Sequence, residues 1–139
     1  MRLVWMTLVL VALRFGSAWA DPLVGTWKMT SQGKPGGVTA QTINITATAD
    51  GHKWSYDITL ANNNHVAFAL VTNVKAGTVT MTTTDGKPLG TGQFKKTGDT
   101  AWEVDTPKHK SSGSITSDGK KMTINQTVPT QTTIVFDKQ

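Results

Sequence analysis

Residues 42–48 read TINITAT, and the dipeptide Asp50-Gly51 follows shortly after. Apolar side chains alternate here with threonine and asparagine, which is the period of two expected of a half-buried β-strand. An Asp-Gly pair favours the tight turn of a β-hairpin. This stretch therefore predicts one strand of an antiparallel sheet and the turn that leads into the next strand.

Short alternating strands closed by turn residues recur along the rest of the chain. Further Asp-Gly turns are expected at 85–86 and 118–119, and an asparagine turn at 62–64. No stretch keeps a 3.6-residue apolar period over three turns, so no helix is predicted. Nine or ten strands spaced by about 8–12 residues are typical of a barrel or sandwich. Consecutive hairpins favour closure, so the predicted fold is all-β, an antiparallel up-and-down β-barrel of about 8–10 strands.

One face of these strands collects the large apolar residues and is expected to point into the barrel. The predicted inward set is Trp27, Met29, Ile43, Ile45, Trp54, Tyr56, Ile58, Val66, Phe68, Leu70, Val79, Met81, Phe94, Trp102, Val104, Ile115, Met122, Ile124, Ile134 and Phe136. A barrel of about eight strands either encloses one small ligand or is filled by its own side chains. Both alternatives stay open from the sequence.

Part of this inward set forms the candidate ligand site. Small-molecule sites are mostly apolar concavities, and methionine adapts its shape to whatever packs against it. The same side chains are explained equally by stability, since each buried aromatic residue covers ~150–250 Å². The candidate residues, which either line a ligand site or fill the core, are Trp54, Tyr56, Phe68, Met81, Phe94 and Trp102.

Residues 1–20 have the features of a secretory signal peptide. Arg2 precedes an apolar run at 3–13, and Ala18-Trp19-Ala20 has the small-x-small pattern of a cleavage site. The run is shorter than the ~20 residues that a membrane-spanning helix needs. We therefore expect export to the periplasm or outside the cell, with no membrane span in the mature chain. The predicted organisation is a signal peptide at 1–20 and a single barrel domain at 21–139.

Charge and composition argue against several classes of function. The 139 residues include 14 lysines and arginines, 9 acidic residues and no cysteine. Both arginines, Arg2 and Arg14, lie in the predicted leader, and without it the net charge falls from +5 to +3. Base recognition and bidentate phosphate contacts usually use arginine, so no nucleic-acid partner is expected. An exported domain without disulfides has to be stabilised by its core.

The sequence contains no recognisable catalytic or metal-binding motif. His52, His65 and His109 lack the short spacings of metal ligands, and neither a P-loop nor a Gly-x-Ser-x-Gly elbow is present. Glu103 and Asp105 flank Val104 on the face opposite Trp102 and are expected to face solvent. We therefore predict no cofactor, no metal and no enzymatic activity.

The tripeptide Gly25-Thr26-Trp27 matches the Gly-x-Trp pattern of lipocalins and related calycin barrels. Together with residues 117–124 and 135–139, the stretch 21–28 resembles a family of small exported bacterial lipocalin-like proteins. The resemblance implies that Trp27 plugs the closed end of the barrel and that Gly25 allows a close approach of backbone. Lipocalins pack a late arginine over this tryptophan. Here only Lys138 could replace it, without the planar guanidinium, which indicates a looser relative.

The function expected from these observations is non-catalytic binding of a small apolar or amphipathic molecule at the open end of a monomeric barrel. Residues 33–37 would form a mobile rim. The alternative is a protein–protein interaction module, such as a barrel-type protease inhibitor that uses residues 21–23 and its loops. An interior cavity of ~300 Å³ or more would distinguish an open barrel from a filled one.

Overall fold

The alternating stretch at 42–48 lies in the second of ten β-strands. The computed structural model describes residues 21–32 and 37–139, so the predicted signal peptide and most of the rim loop lie outside the described residues. The strands are β1 (Gly25–Gln32), β2 (Val38–Ala47), β3 (Gly51–Leu60), β4 (His65–Asn73), β5 (Thr78–Thr82), β6 (Pro88–Gly98), β7 (Ala101–Asp105), β8 (Lys110–Ile115), β9 (Lys121–Val128) and β10 (Thr132–Lys138).

The sheet closes on itself. Each strand pairs antiparallel with the next one along the chain, and β1 pairs with β10. This last pairing sets Trp27 opposite Lys138 and Met29 opposite Phe136. Closure leaves none of the ten described strands with a free edge for pairing with another chain. The predicted all-β, up-and-down antiparallel barrel is confirmed, with ten strands.

Turn chemistry follows the sequence pattern in most places. Gly86 and Gly119 take positive φ angles of 94° and 72°, and Asn63 takes one of 66°. Gly51 is different: it is the first residue of β3 and its φ is not positive. The described ranges contain strands and turns but no helix, and hence no helix long and apolar enough to cross a membrane.

The core is one continuous cluster of inward side chains. Its buried members are Trp27, Ile43, Ile45, Trp54, Leu70, Val79, Phe94, Trp102, Val104, Ile115, Met122, Ile124, Ile134 and Phe136. Leu23, Met29, Tyr56, Phe68 and Met81 pack against this cluster and are partly buried. Burial of each large apolar side chain contributes about 1.5–3 kcal/mol, which is how a chain without cysteine is held together.

Val66 departs from the predicted inward set, because 42% of its surface is exposed. It has the same phase as the inward residues of β4, but it directly follows the first residue of that strand and pairs with Ile58 near the end of β3. The packed layers stop short of this position. Alternation therefore predicts the direction of a side chain and not its depth.

The two ends of the barrel differ. We call the end that contains Trp27 the closed end, and the opposite end, where β7 turns into β8, the mouth. Residues 21–23 are fastened across the closed end by three contacts. The indole Nε1 of Trp27 donates a hydrogen bond to the Leu23 carbonyl at 2.9 Å, and the Lys138 Nζ donates one to the Pro22 carbonyl at 3.2 Å. Asp21 Oδ2 lies 2.7 Å from Nε2 of His52.

Lys138 also packs over the tryptophan at the closed end. Its Nζ lies 5.4 Å from the centroid of the Trp27 ring, within the range of a cation–π interaction. Gly25 makes room for it: a Cβ at this position would lie 2.7 Å from Cε of Lys138, and the φ of +144° disfavours other residues. The close neighbour of Gly25 is thus a lysine side chain rather than backbone.

Candidate ligand site in the barrel interior

The six candidate residues all point inwards but lie at two depths. The deep layer, towards the closed end, consists of Trp54, Phe94 and Trp102, which are buried. The rings of Trp54 and Trp102 meet edge to face, with centroids 5.3 Å apart and an interplanar angle of 61°. This arrangement suits the quadrupoles of the two rings and locks their orientation.

The mouth layer consists of Tyr56, Phe68 and Met81, which are partly buried. Tyr56 and Phe68 face each other across the β3–β4 pair, with their rings stacked at a centroid distance of 4.8 Å and an interplanar angle of 8°. Met81 lies on the neighbouring strand β5. These side chains separate the deep layer from the mouth.

Two small cavities lie between and above these layers: an inner cavity, lined by Trp54 and Trp102 among others, and an outer cavity, lined by Phe68 and Met81 among others. Each has a volume of about 50 Å³, and four residues line both of them: Tyr56, Leu70, Val104 and His109. A water molecule occupies about 30 Å³ in the liquid, whereas sites for drug-sized ligands span about 300–1,000 Å³. Of the two alternatives that the sequence leaves open, the structure has the interior mostly filled by side chains.

Phe94 stands apart from the other candidates. It lines a cleft of about 170 Å³ at the closed end, together with Leu23, Trp102 and the charged Lys96 and Asp99. Trp54, Tyr56, Phe68, Met81 and Trp102 each line one or both of the interior cavities. The structure therefore brings five of the six candidates together around the interior space.

The interior also contains polar side chains that the sequence analysis did not single out. The polar side chains around the inner cavity are those of Gln41, Thr72, His109, Ser111 and Gln126, together with the phenol of Tyr56. Several of them could have been found from alternation, because each polar residue is in phase with apolar ones: Gln41 with Ile43, Thr72 with Leu70, Gln126 with Ile124. A polar side chain does not mark the inward face by itself, because the solvated face of a strand is also polar.

Thr72 has a structural task. Its hydroxyl accepts hydrogen bonds from the backbone N–H of His52 at 3.2 Å and from Nε1 of Trp54 at 3.3 Å, and it donates to the His52 carbonyl at 3.3 Å. The buried indole is thereby satisfied, as buried donors need to be. Thr72 consequently fixes the deep aromatic layer.

His109 belongs to the turn between β7 and β8 and lines both cavities. Its backbone N–H donates to Oγ1 of Thr106 at 2.9 Å, and its Nε2 shares a hydrogen bond with Oγ of Ser111 at 3.1 Å. Burial lowers the pKa of His109, since the apolar surroundings disfavour the charged ring. The imidazole is therefore neutral at neutral pH.

Acidification is expected to destabilise the barrel through His109. The folded-state pKa of His109 is lowered, so the unfolded chain binds a proton first as the pH falls through the ordinary histidine value of about 6.5. The contribution of His109 to the free energy of unfolding is therefore fully present above that value and is lost as the pH falls below it. Thermal unfolding of the wild type and of His109→Gln at about pH 7.5 and about pH 5 tests this: the variant should lose less stability.

A matched control for this experiment is Ser114→Gln, because Ser114 is an exposed residue of β8 and neither side chain is titratable. This variant should keep the pH dependence of the wild type. An unchanged pH dependence in His109→Gln would contradict the assignment.

Neither metal ligation nor a catalytic pair emerges from the part of the chain that is described. Within these ranges no three histidine or carboxylate side chains come together as metal ligands. Glu103 and Asp105 lie on the exposed side of β7, and Asp105 is paired with Lys110 at 3.6 Å. What the interior can do chemically is offer apolar surface and neutral hydrogen-bonding groups.

Comparison with known proteins identifies the fold of this chain but does not identify a family. No protein-family model matches the chain, and no curated protein sequence does. The barrel is similar to zebrafish ileal bile acid-binding protein complexed with cholic acid, with a TM-score of 0.56 and 17% identity over 86% of this chain and 100% of that one. It is also similar to the Schistosoma mansoni fatty acid binding protein in complex with arachidonic acid, with a TM-score of 0.58 and 14% identity over 86% and 98% of the two chains.

At these identities the likeness shows the fold alone. The protein has the ten-strand, calycin-type barrel architecture of fatty acid binding proteins. The predicted relation to lipocalin-like barrels holds at this coarser level. The bacterial origin of the resembled family, the export signal and the roles of the site residues stay predictions.

Proposed function

We propose that this protein binds a small apolar or amphipathic molecule, without catalysis, in the mouth half of its barrel. The observation that carries the proposal is the pair of adjacent cavities that share the walls Tyr56, Leu70, Val104 and His109. Mostly apolar walls with a few polar groups are typical of small-molecule sites. The two similar barrels are described with cholic acid and arachidonic acid, ligands of this general class.

Because each cavity measures only about 50 Å³, a ligand has to be small or has to merge the two spaces. Met81 lines the outer cavity and has an unbranched side chain with three rotatable bonds, so it can yield without backbone movement. Phe68 and Tyr56 are only partly buried. Entry from the mouth therefore requires side-chain rearrangement in one layer, while the Trp54–Trp102 pair below stays in place.

The proposal predicts saturable binding of linear alcohols, with 1-butanol, 1-hexanol and 1-octanol as probes. Trp54 and Trp102 line the inner cavity, so tryptophan fluorescence should respond to occupancy. Filling this cavity with Ser111→Leu should weaken binding ~tenfold or more, the equivalent of about 1.4 kcal/mol. Ser112→Leu is the matched control, since Ser112 is the neighbouring residue on the outer side of β8, and it should bind like the wild type.

Native mass spectrometry and fluorescence titration together give the decision. If no alcohol in the series binds the wild type saturably, the proposed function is wrong. If Ser111→Leu and Ser112→Leu both bind like the wild type, the site lies elsewhere on the molecule.

The alternative, a protease inhibitor that uses residues 21–23, stays a prediction. Those residues are held on the closed end through the Trp27, Lys138 and His52 contacts. An inhibitor that inserts them into a partner would first have to break all three, so the structure favours the ligand-binding proposal.

A further inference from the structure

Gln41 is a buried polar side chain whose presence the core does not explain. Only 8% of its surface is exposed, and it lies on the inward face of β2 two residues before Ile43. It lines the inner cavity but forms no side-chain hydrogen bond to any other residue of the described chain. Its amide atoms are not among the fully enclosed polar atoms without a partner, which in the described residues belong to His52, Thr132 and Asp137. The amide of Gln41 is therefore available to a molecule that enters this cavity.

The remaining polar groups around the two cavities carry no charge. They are the hydroxyls of Thr72, Thr106 and Ser111, the phenol of Tyr56, the amide of Gln126 and the imidazole of His109. Burial raises the pKa of Tyr56 and lowers that of His109, so both groups stay neutral at neutral pH. Neither cavity is lined by a lysine, aspartate or glutamate from the described ranges.

The charged groups that the structure describes in this half of the barrel lie outside the cavities. Lys108 is exposed on the turn between β7 and β8, and Lys110 pairs with Asp105 on the outer surface. Among the described residues, a cation is thus accessible at the rim of the mouth and not at the depth of Gln41. An ionised carboxylate brought to that depth would be buried without a counter-charge, which is a costly arrangement.

We propose that the amide of Gln41 is the polar anchor of the interior site and that the site takes a molecule with an uncharged hydroxyl or amide group in preference to a carboxylate. This inference rests on the proposed function. A carboxamide offers both an N–H donor and a C=O acceptor, and a hydroxyl or amide group of a ligand complements both at once. A carboxylate only accepts hydrogen bonds, and it leaves the carbonyl of Gln41 unpaired.

The test compares 1-hexanol with hexanoate, which differ in the group presented to Gln41, on the purified protein at neutral pH. The wild type should bind 1-hexanol ~tenfold or more tightly than hexanoate. Gln41→Leu should weaken 1-hexanol binding about 3–10-fold, the range expected for loss of one hydrogen bond. Its thermal stability should be unchanged or higher, because leucine is apolar at this inward position and no side-chain hydrogen bond between described residues is lost.

Two further variants sharpen the result. Gln41→Lys places a cation inside the barrel and should reverse the preference in favour of hexanoate. Asn44→Leu is the control, since Asn44 is an exposed outward residue of the same strand; it should leave both affinities unchanged. A purely structural role of Gln41 would instead lower stability in Gln41→Leu and leave the ratio of the two affinities unaltered.

The outcomes separate this inference from the function on which it rests. Equal affinities for 1-hexanol and hexanoate, or an unaltered affinity ratio in Gln41→Leu, would overturn the anchor and leave ligand binding intact. Absence of binding for both probes, and for the longer alcohols, would overturn the proposed function and this inference with it.

Discussion

Replacement of Trp27 by alanine is expected to lower the free energy of unfolding by about 3–5 kcal/mol, as for other large aromatic-to-alanine changes in cores. The side chain is fully buried at the closed end and belongs to the central cluster. The truncation leaves a cavity, removes the donor of the Leu23 carbonyl and takes away the ring under Lys138. Small domains are stable by only about 5–15 kcal/mol, so this single change consumes a large part of the total.

Chemical denaturation of the wild type, Trp27→Ala and Trp27→Phe measures this effect. The phenylalanine variant keeps most of the ring packing and loses the hydrogen bond to Leu23, so its loss should be much smaller than that of the alanine variant. A loss below about 1 kcal/mol for Trp27→Ala would mean that the closed end relaxes around the gap, and the assigned importance of this residue would be wrong.

The second large effect is expected at Gly113 in β8. This residue lies opposite Trp102 in the β7–β8 register, and the indole covers it. A Cβ at Gly113 would lie 2.2 Å from Cζ2 and 2.3 Å from Cε2 of Trp102. Trp102 has little freedom to move away, because it is buried and packs edge to face on Trp54. Gly113→Ala should therefore destabilise the protein by about 1–3 kcal/mol through overpacking.

Gly90→Ala is the matched control, since a Cβ on this β6 residue meets nothing within 4 Å. Without a clash, glycine-to-alanine changes stabilise by about 0.4–1 kcal/mol through the unfolded state. The two substitutions are chemically identical and should differ in sign. Tryptophan fluorescence adds a second measurement, because displacement of Trp102 changes the emission of Gly113→Ala only. Equal stabilities for the two variants would contradict the packing of Trp102 on Gly113.

The packing of the deep layer sets a limit on the proposed function. The deep layer forms the floor of the inner cavity. In it, Trp102 packs on Gly113 and on Trp54, and Thr72 holds the Trp54 indole by a hydrogen bond. Space for a ligand therefore has to come from the mouth layer, where Met81 and Phe68 are only partly buried. Rigid packing below and adaptable side chains above are consistent with a site that admits small molecules and discriminates them by the group that reaches Gln41.

The strands were the part of the structure that could be predicted best. The TINITAT stretch alternates because one face of β2 is buried and the other is solvated, and this local period does not depend on the rest of the chain. The closure into a barrel also followed from local features, because consecutive hairpins leave two edges that have to be paired. The depth of each position did not follow, as the exposure of Val66 shows.

The candidate site was predicted in part. Five of the six aromatic and methionine candidates line the interior cavities, whereas Phe94 lines the cleft at the closed end. Strand phase places these residues inwards, but the height of each strand in the barrel depends on its stagger against its neighbours. The inward direction of Gln41 follows from its phase with Ile43, but its position beside a cavity depends on neighbours across several strands.

By itself the sequence determined that this protein is an antiparallel barrel without disulfides, and that its apolar alternation and turns are sufficient to build it. These are properties of period and composition, which each segment carries locally. Only the tertiary structure decided that the interior is mostly filled, that Lys138 lies over Trp27, and that the remaining space is lined by neutral groups around Gln41. Those facts depend on which residues meet across strands distant in sequence, and on how closely ten strands bring their side chains together.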